Sequence, residues 1–138
     1  MILRSPQDVE EQDVGDSLGI PDMGVKIKWL IHNRIGDSRY KHNFALRRFT
    51  FEPGKSFTLH SHKYVEGVYI ISGRGYFATQ KERVAIGPGD VIYTASEEPH
   101  SLGAAGDEPL ILLCCIDCID GGQNCLPEAK GGIHLYQS

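Results

Sequence analysis

Three histidines and one glutamate stand where they could hold a metal ion. His60, His62 and Glu66 lie in residues 54–73, GKSFTLHSHKYVEGVYIISG, and His100 closes residues 87–100, GPGDVIYTASEEPH. Side chains two apart in a strand share a face, so His60 and His62 point the same way, with Cα atoms about 6.5–7 Å apart. A turn after His62 followed by a new strand, VEGVYIISG, swings the Glu66 carboxylate back toward the same ion. His100, delivered by the strand VIYT and the polar connection ASEEP, is the best fourth ligand. A lone His-x-His is most often polar surface; the set of four is far more specific. Imidazole and carboxylate without thiolate suit a divalent transition metal, Mn, Fe, Ni or Zn, rather than a soft-metal site. Three neutral histidines and one carboxylate leave a divalent ion with net positive charge and open positions. The expected ligand is a small anion, chelating through two oxygens.

The strands that must position these residues are legible from alternation. Val25, Ile27, Trp29 and Ile31 alternate with Lys26 and Lys28, a half-buried strand with Trp29 as an anchor. His32 ends it and is expected at the surface. In residues 42–52, Ala45, Arg47, Phe49 and Phe51 share one face, expected to point inward. Arg47 would then enter an apolar interior, where it needs an anion or a carboxylate partner. It is either a clamp for a substrate carboxylate or half of an ion pair with a Glu or Asp, the second being the plainer reading. Tyr76 and Tyr93 are candidates to line the cavity with hydroxyls, although tyrosines in strands more often serve packing. Asp90, after Pro88 and Gly89, is expected to cap backbone N–H groups. The apolar run LILLCCI, residues 110–116, reads as a strand buried on both sides.

These residues resemble the cupin superfamily. Gly54-x5-His60-x-His62-x3-Glu66-x6-Gly73 matches its first motif without a gap, and Gly89-Asp90-x4-Ala95-x4-His100 matches its second. Ala95 stands where the family usually has proline and Ala104 where it usually has asparagine; neither is a family metal ligand. The short segment between the motifs, 74–86, is similar to that of small single-domain prokaryotic cupins, and the resemblance covers residues 25–115. It implies an all-β fold, a single-domain cupin β-barrel of the jelly-roll type, with the metal on His60, His62, Glu66 and His100. It also implies pairing as a homodimer. Isomerisation, decarboxylation and dioxygenation of a hydroxy, keto or sugar acid all fit such a site, as does binding without turnover. Glu66 leaving the metal to act as a base is a further possibility.

Length and composition agree. A chain of 138 residues is one domain, and 16 glycines and seven prolines imply many turns. A formal net charge of −4 gives no reason to expect nucleic acid or an anionic membrane as partner. No leader-like or bilayer-length apolar run is present, so a cytoplasmic location is expected. Residues 1–22 read as a mobile or loosely docked acidic arm, with a helical turn over 6–12 capped by Ser5; residues 23–118 as the barrel; residues 119–138 as a loop-like tail. All four cysteines, Cys114, Cys115, Cys118 and Cys125, lie close together. Cys115-x2-Cys118 has metal or redox spacing, with Asp117, Asp120 and His134 as possible further ligands, but a single such pair is weak. The plainer expectation is buried small thiols and no structural disulfide.

Overall fold

The two alternating segments do form strands, and they pair with each other. The computed structural model describes residues 1–128 and 132–136. Its strands are β1 (Glu11–Asp13), β2 (Val25–Ile31), β3 (Phe44–Phe51), β4 (Ser56–His62), β5 (Glu66–Ser72) and β6 (Arg74–Ala78). They continue with β7 (Arg83–Ile86), β8 (Val91–Thr94), β9 (His100–Ala105), β10 (Leu110–Asp117) and β11 (Ile133–Leu135), and one short helix, α1, spans Val14–Leu18. They make two antiparallel sheets, β1-β2-β3-β10-β5-β8 and β11-β4-β9-β6-β7. This is the β-barrel arrangement expected.

Strand β10 is the spine of the larger sheet, paired to β3 on one side and β5 on the other. Leu110, Leu112, Cys114 and Ile116 are buried on its inner face. Its outer residues Ile111 and Leu113 are only half-buried, and Cys115 is exposed. The apolar run is therefore covered on one side, not two. On β3 the inward set is the one alternation predicts: Ala45, Arg47, Phe49 and Phe51 are buried. Emptying such a position, as in Phe51→Ala, costs about 3–5 kcal/mol. On β2 the pattern holds through Trp29 and then fails. The register shifts between Trp29 and Ile31, leaving Ile31 39% exposed.

Two glycines fix how strands meet. Gly73, between β5 and β6, has φ +84°, and a Cβ there would sit 2.1 Å from the Pro109 carbonyl oxygen. Gly103 on β9 leaves room for the Tyr76 hydroxyl, which a Cβ would meet at 2.7 Å. Asp90 caps as expected, its carboxylate accepting from Gly87 N–H at 2.7 Å.

The ends of the chain depart from expectation. Residues 1–22 are docked: Gln12 pairs with Ile27, Val14 is buried, and Asp13 both caps α1 and bonds Lys26 at 2.9 Å. The expected helical turn shrinks to a 3-10 turn over Pro6–Asp8, because β1 takes the residues beyond it. His32 is buried, not exposed, since the docked N-terminal segment covers it. In the tail, Cys118 and Cys125 form a disulfide, and β11 pairs with β4. The disulfide overturns the expectation of idle tail cysteines and removes the support that expectation drew from a reducing compartment. No helix among the described residues is long and apolar enough to cross a membrane.

Candidate metal centre

Register brings the four predicted ligands together. His60 on β4 pairs directly with His100, the first residue of β9, and their rings lie 4.2 Å apart. His62, two residues along the same face, is also buried. The chain turns at 63–65, and Glu66 opens β5 in the opposite sheet. The turn before His100 is tied to this strand by Glu97 N–H donating to the His62 carbonyl at 2.7 Å. One ligand atom from each of His60, His62, Glu66 and His100 falls within 4.8 Å of the others.

The backbone sets the histidine tautomers. Nδ1 of His60 lies 2.6 Å from the Thr58 carbonyl, Nδ1 of His62 2.8 Å from that of Tyr64, and Nδ1 of His100 2.7 Å from that of Glu98. Carbonyls only accept, so each Nδ1 carries the proton and donates. Each Nε2 is then a bare lone pair. Nε2 of His62 and His100 lie 3.1 and 2.7 Å from Glu66 Oε1, another acceptor. The buried His100 Nε2 has no partner with hydrogen-bond geometry despite that short distance. Acceptors converging on acceptors in a buried space call for a positive charge between them, either a second proton on a ring or a metal ion. A divalent ion fits this donor set.

Electrostatics prepare the same state. Burial and the neighbouring His100 push His60 down to about 3, so its lone pair is free at neutral pH. Burial works to raise Glu66, but His100, His62 and Arg47 outweigh it and hold the carboxyl well below its ordinary range. His100 runs the other way: burial works against its charged form, but Glu66 outweighs burial and raises its pKa, so without metal a proton on Nε2 competes for the place of the ion.

The family comparison falls on the same residues. The cupin domain family model matches residues 47–116, half of the chain and all four clustered side chains. The chain belongs to the cupin domain family. This cupin is 38% identical over 78 residues to an oxalate-binding protein of Thermotoga maritima, a match covering 54% of this chain and 64% of that one. It is 33% identical over 72 residues to 1-methylthio-D-xylulose 5-phosphate methylsulfurylase of Rhodospirillum rubrum, covering 52% of this chain and 46% of that one. The matches thus span about half to two thirds of these relatives. A crystal structure of a cupin 2 domain-containing protein from Halorhodospira halophila superposes with TM-score 0.63 at 28% identity, covering 70% of this chain and 66% of that one.

Beside the cluster, this cupin encloses a cavity of about 60 Å³. Arg47 lines it, but its Nη2 lies 3.8 Å from Glu66 Oε2 and donates to Cys114 Sγ at 3.1 Å. The geometry is that of the ion pair, with the guanidinium also 5.2 Å from the Trp29 ring and 5.1 Å from that of Phe49. Its buried Nε lacks a partner.

Tyr93 and Tyr76 do not line this cavity. Tyr93 is 67% exposed on the outer face of β8, because parity puts it opposite Thr94. Tyr76 packs over Gly103 and under the Arg83 guanidinium, 3.6 Å from its ring. The cavity tyrosine is Tyr64, stacked on His62 at 3.9 Å and pushed up to about 12 by burial. Nor does Cys115-x2-Cys118 form a site: Cys118 is in the disulfide, and Cys115 lies exposed on the outer face. Asp117 accepts from the Val65 N–H, and His134 is exposed on β11.

Two features escaped the sequence reading. Cys114 lies inward on β10 and donates to Glu66 Oε2 at 2.9 Å. Burial and the Glu66 charge push its thiol well above the usual range, so it stays protonated. Phe57 and Phe77 sit against the ligand rings, at 3.9 Å from His60 and 5.7 Å from His100. Strand parity applied to LILLCCI would have pointed to Cys114 and applied to RGYFA to Phe77; Phe57 has the opposite parity to His60 and comes to its side through the register shift between the two.

Proposed function

We propose that this cupin binds one divalent transition metal on His60, His62, Glu66 and His100 and turns over a small organic acid beside it. The observation that carries the reading is the set of three backbone-fixed histidines presenting bare Nε2 atoms to a carboxylate. A bound divalent ion would supply Lewis-acid polarisation of a substrate oxygen. The chain's own part is to hold that set rigid, keep His60 neutral, exclude bulk water with aromatic walls, and place the Arg47 cation beside the ligands. Glu66 suits the ligand role and not the base role, since four side chains contact it and its pKa is depressed.

The same observation favours a second reading, a metal-dependent binder without turnover. Among the described cavity residues no uncommitted carboxylate stands ready as a base, and Tyr64 and Cys114 are both held protonated. The relatives' names support both readings, one naming an enzyme and one a binding protein. Incubating metal-loaded protein with a panel of 2-oxo and 2-hydroxy acids, followed by proton NMR over hours, separates them. New resonances that need the metal support the enzyme; ligand broadening without product supports the binder.

We also propose that the chain pairs as a homodimer. Tyr69, Val91 and Tyr93 form an exposed apolar patch on the outer face of β5 and β8, which supports this. Sedimentation velocity tests it: a single monomeric species at micromolar concentration would contradict it.

A further inference from the structure

The walls of the cavity say more about the ligand than the cluster does. Away from the four clustered side chains, its lining is mostly hydrocarbon: Phe49, Phe51, Phe57, Phe77, Leu102 and Leu112 are among it. Of the three polar residues that remain, Arg47 is held by Glu66 and Cys114, and Cys114 by Glu66, while Tyr64 is stacked on the His62 ring. What stays open is the ligand cluster itself, with the Tyr64 hydroxyl and the buried, unpartnered Arg47 Nε beside it.

A ligand must match that asymmetry. Its charged, oxygen-bearing head belongs at the cluster and Arg47. Its body meets only carbon, and a hydroxyl buried there without a partner forfeits its hydrogen bonds to water. A sugar acid carries such a hydroxyl on nearly every carbon. The cavity also limits size: 60 Å³ is room for about five water molecules, so the acid must be small.

We infer that this cupin takes a compact acid with an apolar body, a short branched or cyclic 2-oxo or 2-hydroxy acid, and rejects polyhydroxylated acids of the same length. This rests on the metal-centre reading above and narrows its substrate class. The hydroxy- and keto-acid expectation is kept, and the sugar-acid one is dropped.

Two acids that differ only by methyl against hydroxyl on carbon 4 test this: 4-methyl-2-oxopentanoate and 4-hydroxy-2-oxopentanoate. Each is titrated into cobalt(II)-loaded protein, and binding is read from the visible absorption of the cobalt. The methyl acid is expected to bind about tenfold to a hundredfold more tightly, the range over which apolar pockets reject an added hydroxyl. Equal affinity, or tighter binding of the hydroxy acid, would overturn the inference. So would cobalt-loaded protein whose spectrum responds to neither. A protein that takes up no cobalt at all fails earlier, before any acid is added, and that failure belongs to the metal reading.

Discussion

The Cys114 thiol lies 2.9 Å from Glu66 Oε2, while the other carboxylate oxygen, Oε1, is the one beside His62 and His100. The carboxylate is thereby divided: one oxygen is left for the cluster and the other is fixed by a thiol and a guanidinium. Groups that orient a ligand in this way commonly matter to metal affinity by 10–100-fold.

Replacing Cys114 should show this directly. Cys114→Ala removes the donor and should weaken metal binding by about 10–100-fold. Cys114→Ser keeps a donor and should stay close to the parent. Competition with a chromophoric chelator measures both, and equal affinity in the two variants would count against the role.

Arg47 and Glu66 form a buried pair, with side chains 8% and 11% exposed. Arg47→Met should therefore destabilise the metal-free protein by about 3–5 kcal/mol, because a buried carboxylate loses its cation. Loaded with metal, the same variant should lose less, since the ion supplies the missing charge. Urea melts with and without metal give the difference; identical losses would break the link between Arg47 and the centre.

The cysteines should divide by reactivity. In oxidised native protein a thiol reagent should label Cys115 quickly and reach Cys114 only on unfolding. Cys118 and Cys125 should appear only after reduction, which should lower stability by about 2–3 kcal/mol for so short a loop. Mass spectrometry of the labelled chains reads each site; fast labelling of Cys118 before reduction would refute the disulfide.

His32 carries a pH dependence. Burial first, then the Arg4 charge, lowers its pKa below the ordinary histidine value of about 6.5. The unfolded chain therefore takes up the proton first. His32 contributes stability that is fully present above pH 6.5 and is lost as pH falls through the lower folded value. Denaturant melts from pH 8 to 5 should fall less steeply for His32→Gln than for the parent. An unchanged slope would mean that the covering of His32 is not as described.

The barrel and the four clustered residues were legible because parity and register are local rules. His60 and His62 share a face whatever surrounds them, and Gly54, Gly73 and Gly89 mark the turns between strands. What surrounds the cluster was less legible. Arg47 was placed inward by parity, but its partners, Cys114 and Glu66, come from two other strands. Tyr76 and Tyr93 were cavity candidates without an assigned face, because their strands are short and begin after turns, so no long alternation fixes it; of the two, Tyr76 serves packing, the plainer expectation. The docked arm and β11 depend on pairings between distant segments, Gln12 with Ile27 and His134 with Ser61, that no local pattern announces.

The central claim is that His60, His62, Glu66 and His100 hold one metal ion, and elemental analysis of protein purified without added metal tests it most directly. The account predicts about one equivalent of Mn, Fe, Ni or Zn per chain, lost in a His60→Ala/His62→Ala variant that still folds. Metal retained in that variant, or none in the parent even after reloading, would contradict it.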